Sequence, residues 1–196
     1  MKNKYHDITN GQNIAIYTKL GGPSGVKRFL ANELVVQEPP PNRRLKYHDS
    51  VECPKIDRFV AKDNFGRSTV NGVKFCDFNE NFKKLFFSKV ETSVAETILR
   101  SHDLLKYSKG LGILREIEDG KEITNLAHLH RLLTLQGNGG KGILLTNGYA
   151  NIFYIVGVDG NLWAVSARWY DDGWYLSAVS VEGSYAWGAG GQVFSR

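Results

Sequence analysis

Three runs rich in β-branched and aromatic residues, Asn151–Val158, Leu162–Tyr170 and Trp174–Val181, are separated by Asp159-Gly160 and by Asp171-Asp172-Gly173. Asp-Gly pairs supply the positive-φ residues of tight hairpin turns, so this pattern demands antiparallel strands. A short strand near Gln192-Val193-Phe194 is expected to complete a meander. Strands of this kind must bury one face, and the helical patterns upstream supply the cover. The expected class is α+β: a C-terminal antiparallel β-meander packed on helices, with an N-terminal helical hairpin.

The upstream segments divide as follows. Residues 11–20 carry Ile14, Ala15, Ile16, Tyr17 and Leu20 and read as a short helix, broken at Gly21-Gly22-Pro23-Ser24-Gly25. Ser24 is the expected N-cap of a second helix with Val26, Phe29, Leu30 and Leu34 on one face. Pro39-Pro40-Pro41 and the basic Asn42-Arg43-Arg44-Leu45-Lys46 mark a boundary. The expected organisation is a helical hairpin over 1–38, a linker over 39–50 and an α+β domain over 51–196. Within that domain Ile56–Val60 and Val73–Phe78 read as strands, the second preceded by the turn Asn71-Gly72, while Leu85-Phe86-Phe87 is too short to assign. Ser93-Val94-Ala95-Glu96 fits a capping box, predicting a helix that ends near Tyr107. A further helix is expected from Thr124 to Gln136, closed by Gly137.

At 196 residues with 42% hydrophobic and 23% charged residues, the chain can build a proper core. No apolar run is long enough to span a bilayer, and no apolar stretch follows the basic N-terminus, so a cytoplasmic protein without membrane association is expected. Cys53 and Cys76, the only cysteines, fit a reducing compartment and free thiols. The pI of about 9.1 makes nucleic acid a partner to consider. Its source is uneven: residues 1–60 hold ten Lys/Arg against six Asp/Glu and residues 61–148 thirteen against ten, whereas residues 149–196 hold two against four. A bound phosphate backbone therefore belongs to the N-terminal part.

Several segments resemble a recurrent family of uncharacterised proteins from candidate-phyla bacteria. They are Leu20-Gly21-Gly22 with Gly25–Leu30, Leu145–Tyr154, the hairpin from Leu162–Val165 through Arg168–Tyr170, and Gln192–Arg196, together less than half of the chain. The resemblance implies a bacterial cytoplasmic setting and transfers no functional residue.

Chemical motifs are sparse. Gly137-Asn138-Gly139-Gly140-Lys141-Gly142 resembles a phosphate loop, but a helix precedes it and Gly142 stands where Ser or Thr is required. It reads as a connection from helix to strand. Ser101-His102-Asp103 has triad residue types in succession on an expected helix, where they diverge. His128 and His130, two apart on a helix, point away from each other. His130 is expected to be partly buried and His128 exposed. His6, His48, Cys53 and Cys76 lack the spacing of a zinc site, so neither a metal nor a cofactor is expected.

Two regions remain. A second helix opening with Lys27-Arg28 suits a helix-turn-helix, where a phosphate would relieve cations placed near a helix N-terminus. In the strand from Leu162, alternation puts Trp163, Val165, Ala167 and Trp169 on one face as core. Leu162, Ala164, Ser166, Arg168 and Tyr170 take the other, a surface where bases or a peptide can stack unless Arg168 merely pairs a carboxylate. The sequence reading is thus a non-enzymatic protein binding nucleic acid or another protein through Lys27, Arg28, Arg43, Arg44, Arg168 and Tyr170. The alternative is a small metal-independent hydrolase, by analogy of architecture with ribonuclease toxins, using His130, Arg168 and Tyr170.

Overall fold

The computed structural model describes Tyr17, Leu20 and residues 22–31, 43–66, 68–118 and 120–196. Contacts divide the chain into two units, Met1–Asn42 and Arg43–Arg196. In the first, helix α1 runs Gly22–Leu30. Ser24 lies inside it and is not its N-cap, and Lys27 and Arg28 fall in its last turn, where the macrodipole favours cations. The conflict that a phosphate was expected to relieve is therefore absent. The first helix of the expected hairpin, over 11–20, lies almost wholly outside the described residues.

The second unit opens with β1 (Leu45–Cys53), so residues 45–50 of the expected linker are sheet. There follow β2 (Ile56–Val60), a single helical turn α2 (Ala61–Asn64), β3 (Ser68–Val70) and β4 (Val73–Phe78). Asn71 and Gly72 turn the β3–β4 hairpin with φ of +48° and +82°, as a two-residue loop requires. Helix α3 (Glu80–Phe86) takes up the unassigned Leu85-Phe86. Next come β5 (Val90–Val94), β6 (Thr97–Leu104), β7 (Ser108–Lys109), α4 (Gly110–Leu114), β8 (Ile123–Thr124) and α5 (Leu126–Gln136). The chain ends in β9 (Asn151–Val156), β10 (Leu162–Tyr170), β11 (Gly173–Ser180), β12 (Ala186–Trp187) and β13 (Gln192–Ser195).

A nine-stranded sheet has the order β1-β6-β13-β9-β10-β11-β4-β3, with β8 beside β9. The meander β9-β10-β11 is antiparallel as expected. The final strand does not extend it. β13 runs parallel to β9 and antiparallel to β6, between the two, where Phe194 stacks on Phe153 at 4.4 Å between ring centroids. The outer edge of β11 is taken instead by β4, in parallel. Gly173 permits that approach, since a Cβ there would stand 2.8 Å from the Cys76 nitrogen.

Both faces of the sheet are covered. On one, Leu126, Leu129, Leu132 and Leu133 of α5 and Phe82, Leu85 and Phe86 of α3 pack with Phe153, Val165, Ala167, Leu176 and Phe194. On the other, Ile113, Ile117, Val181 and Trp187 cover Leu104, Ile152, Tyr154, Ala164 and Val193. Cores filled from both sides explain why β9 is buried over nearly its whole length.

The helix expected after Ser93 is two strands. Ser93 adopts a left-handed φ of +53° inside β5, and the burial that follows has period two: Leu99 and Ser101 are inside while Ile98 and Leu105, chosen for helical spacing, are half exposed. Pairing with β1 along the whole of β6 outweighs the local capping signal.

Helix α5 starts at a buried charge. Glu91 of β5 accepts the Leu126 and Ala127 amides at 3.0 and 2.9 Å through its two carboxylate oxygens, and the Lys89 ammonium lies 3.8 Å away. Asn125, the residue at the N-cap position, makes no side-chain cap bond. A carboxylate at this terminus satisfies two orphan amides and complements the helix dipole. Glu91→Gln keeps the shape but turns an N–H donor toward those amides. It is expected to cost about 2 kcal/mol, read as a lower urea midpoint at pH 7 with an unchanged slope.

Candidate ligand-binding site

Strand β10 positions the site by alternation. Trp163, Val165, Ala167 and Trp169 join the core beneath the helices, as expected. The opposite face is less open than its sequence suggests: Ala164 and Ser166 are fully buried, and the Ser166 hydroxyl meets that of Ser177 at 2.9 Å. Only where the second core layer ends do Arg168 and Tyr170 emerge. Cross-strand pairing sets Arg168 opposite Tyr175, with the Tyr170 and Tyr175 rings 6.1 Å apart.

Arg168 is half-buried without a carboxylate partner among the described residues. Its Nη2 donates to the Tyr185 hydroxyl at 3.1 Å, and its Cζ lies 5.8 Å from the centre of the Trp187 ring. Burial opposes the guanidinium's charge, but the Tyr185 and Tyr170 hydroxyls outweigh it and raise the pKa. The expectation that Arg168 simply pairs a carboxylate is thereby corrected. Tyr175 is also raised, by burial first and then by the nearby Asp77 and Tyr170, so its hydroxyl keeps its proton.

Arg168 borders a cavity of about 230 Å³ lined also by Tyr149, Ala150, Ile152, Trp187 and Gly191. Tyr149, on its lining, is 49% exposed, and Tyr170 and Tyr185, 45% and 44% exposed, stand beside Arg168. Asn151 fixes the loop that carries Tyr149: it accepts the Leu145 amide at 2.8 Å and donates to the carbonyls of Leu145 and Ala167 at 3.0 and 3.1 Å. Gly190, at φ +93°, lets the chain pass against the Tyr149 ring. Trp187 is held by β12–β7 pairing with Ser108, and Tyr185 packs edge-on against it at 4.8 Å. A second cavity, about 520 Å³, borders Glu52, Cys53, Pro54, Glu96, Thr97 and Ile98. It presents two carboxylates and no aromatic ring among its described lining.

The other sequence-derived candidates have surroundings of their own. Lys27 and Arg28 belong to the first unit. Arg43 is exposed at the start of the second. Arg44 is engaged: its Nη1 and backbone amide reach the Glu116 carboxylate at 2.9 and 2.7 Å. Burial works to raise the Glu116 pKa, but these Arg44 bonds prevail and lower it. His130 lies on the opposite side of the sheet from Arg168 and Tyr170, 5.5 Å from both the Phe59 and the Phe65 ring. The hydrolytic trio of His130, Arg168 and Tyr170 therefore has no common centre.

Ser101, His102 and Asp103 sit on strand β6 rather than a helix, and each has its own business. Ser101 donates to the Asp49 carbonyl, His102 approaches the Ser195 hydroxyl at 3.2 Å, and Asp103 pairs with His48 at 3.2 Å. Gly137–Gly142 is a connection, latched by the Gln136 amide to Gly140 and Leu144. Cys53 and Cys76 are free thiols, raised chiefly by burial. Among the described residues no three His, Cys, Asp or Glu side chains converge as a metal site. No described helix is long and apolar enough to cross a membrane.

What the sequence reading missed are Tyr149, Tyr185 and Trp187. Their only local signal is an aromatic ring close to a glycine, as in Gly148-Tyr149, Gly183-Ser184-Tyr185 and Trp187-Gly188. Such loops carry binding residues more often than strands do.

His128 was expected outside and is instead 1% exposed, with His130 at 8%. Burial pushes both from the ordinary 6.5 down to about 4; at His128 the Ala95 backbone opposes the shift and Arg196 adds to it. Because both folded pKa values lie below the unfolded one, the unfolded state binds more protons between pH 6.5 and 4. Stability is then complete above pH 6.5 and lost as pH falls, by about 3 kcal/mol for each ring. Urea midpoints measured from pH 7 to 4.5 should show this decline, and His130→Phe, which seats an apolar ring among Phe59 and Phe65, should flatten it.

Compared with protein-family models, with curated proteins and with solved structures, the chain finds no match.

Proposed function

We propose that this is a non-catalytic binding protein that takes hold of a polypeptide partner at the Arg168 end of its sheet. The observation that carries the reading is a guanidinium with no carboxylate partner among the described residues, set beside the exposed Tyr170 and Tyr185 and sharing a cavity with Tyr149. Tyr, Trp and Arg are the side chains that dominate binding energy at protein interfaces. Their contact area is large and rigid, and the arginine fork has hydrogen bonds still to give.

The local charge favours a polypeptide over a nucleic acid. Asp171 and Asp172 are exposed beside Tyr170, and Asp77 lies across the strand pair from Tyr175. A single-stranded nucleic acid needs a cationic groove that follows successive phosphates, and here a single arginine stands near the exposed Asp171 and Asp172. The hydrolytic trio of the sequence reading needs His130 as its base, and His130 packs against Phe59 and Phe65 in the other core.

Peptides selected from a random display library on the wild-type protein give the test. Their affinity, measured by calorimetry, is expected to fall about thirtyfold in Arg168→Ala, the scale of an interface anchor. It should stay unchanged in the double variant Lys27→Ala, Arg28→Ala. Protein purified at low salt should show the absorbance ratio of protein alone at 260 and 280 nm. A high ratio that falls on a salt wash would turn the reading toward nucleic acid.

A further inference from the structure

We propose that the Arg168 site recognises the carboxyl terminus of its partner chain: the last residue is aromatic, its ring enters the cavity beside Tyr149 and Trp187, and its α-carboxylate meets Arg168. This deepens the polypeptide-binding reading and rests on it.

Size sets the first constraint. The cavity of about 230 Å³ falls below the roughly 300–1,000 Å³ of sites for drug-sized ligands, so it takes one side chain rather than a cofactor. Its lining includes the aromatic Tyr149 and Trp187 and the apolar Ala150 and Ile152, which suits a planar apolar group. At the rim, a Cβ on Gly148 or Gly188 would meet no atom within 4 Å, which leaves the mouth open for the backbone that leads to the bound residue.

Charge sets the second. Arg168 itself borders the cavity, so the anion and the ring must lie within the span of one residue. A C-terminal aromatic residue meets that condition, because its ring and its carboxylate branch from the same Cα. The guanidinium offers five N–H donors, and the Tyr185 and Tyr170 hydroxyls occupy only part of the fork. What remains matches a carboxylate in bidentate geometry. Asp171 and Asp172, exposed after Tyr170, tolerate one such anion, neutralised by Arg168, and repel a chain of them.

The probes are the tetrapeptide Ala-Ala-Ala-Phe as free acid, the same peptide as C-terminal amide, and tetra-alanine as free acid, titrated calorimetrically into the full chain. The free acid with Phe is expected to bind, and amidation or removal of the ring should each weaken it at least tenfold. In Arg168→Gln the acid and amide should bind equally weakly, with near-UV circular dichroism reporting an intact fold. If that variant does not fold, Arg168→Lys, which keeps the charge but loses the fork, should narrow the preference for acid over amide. Equal binding of acid and amide by the wild type would overturn end recognition, while the library-selected peptides, if still dependent on Arg168, would keep the polypeptide reading. Arg168-dependent binding of a ten-nucleotide single-stranded DNA, with no binding of any tetrapeptide, would overturn both.

Discussion

Everything in the second unit is arranged around a strand that has no exposed side. β9, Asn151–Val156, is buried along nearly its whole length, so each edge must find a hydrogen-bonded neighbour and each face an apolar layer. β10 takes one edge through a hairpin. The other is shared by β8 and β13, both parallel to β9, and parallel neighbours cannot come from a tight turn. The C-terminal residues therefore cross back into the middle of the sheet, and their stacking of Phe194 on Phe153 locks the arrangement.

The helices that cover one face, and the loop before β9, are held by polar side chains. Glu91 joins β5 to the start of α5. Asn79 caps α3 through the Phe82 amide and exchanges hydrogen bonds with both backbone groups of Ala178, tying that helix to β11. Asn151 does the same for the loop before β9. Glu91 and Asn151 are buried and Asn79 partly so, and the hydrogen-bonding atoms of each find backbone partners, the condition under which burial of polarity supports a unique structure rather than opposing it. The candidate site lies where one layer stops: Ala164 and Ser166 are covered, Arg168 is half-buried and Tyr170 is exposed, with the loops bearing Tyr149 and Tyr185 alongside.

Local signals carried much of this. The meander, the Asn71-Gly72 hairpin and the helix that ends at Gly137 follow from turn chemistry and periodicity over a few residues. The alternation of Trp163, Val165, Ala167 and Trp169 correctly named the inner face of β10. The failures share a cause. Ser93-Val94-Ala95-Glu96 looks like a capping box, His128 looks solvent-facing and Arg44 looks free, because each judgement needs a partner distant in sequence: β1, a second packed face, and Glu116.

The sequence by itself determined which residues alternate, where the hairpins turn and which arginine stands at the outer end of an aromatic strand, since these depend on backbone sterics and side-chain periods of two or 3.6 residues. Only the tertiary structure decided that the last strand returns to the centre of the sheet, and that a second layer buries half of the β10 outer face. It also brought Tyr149, Tyr185 and Trp187, remote along the chain, around Arg168. Long-range pairing and burial choose among locally equivalent patterns, and no short window of residues contains that choice.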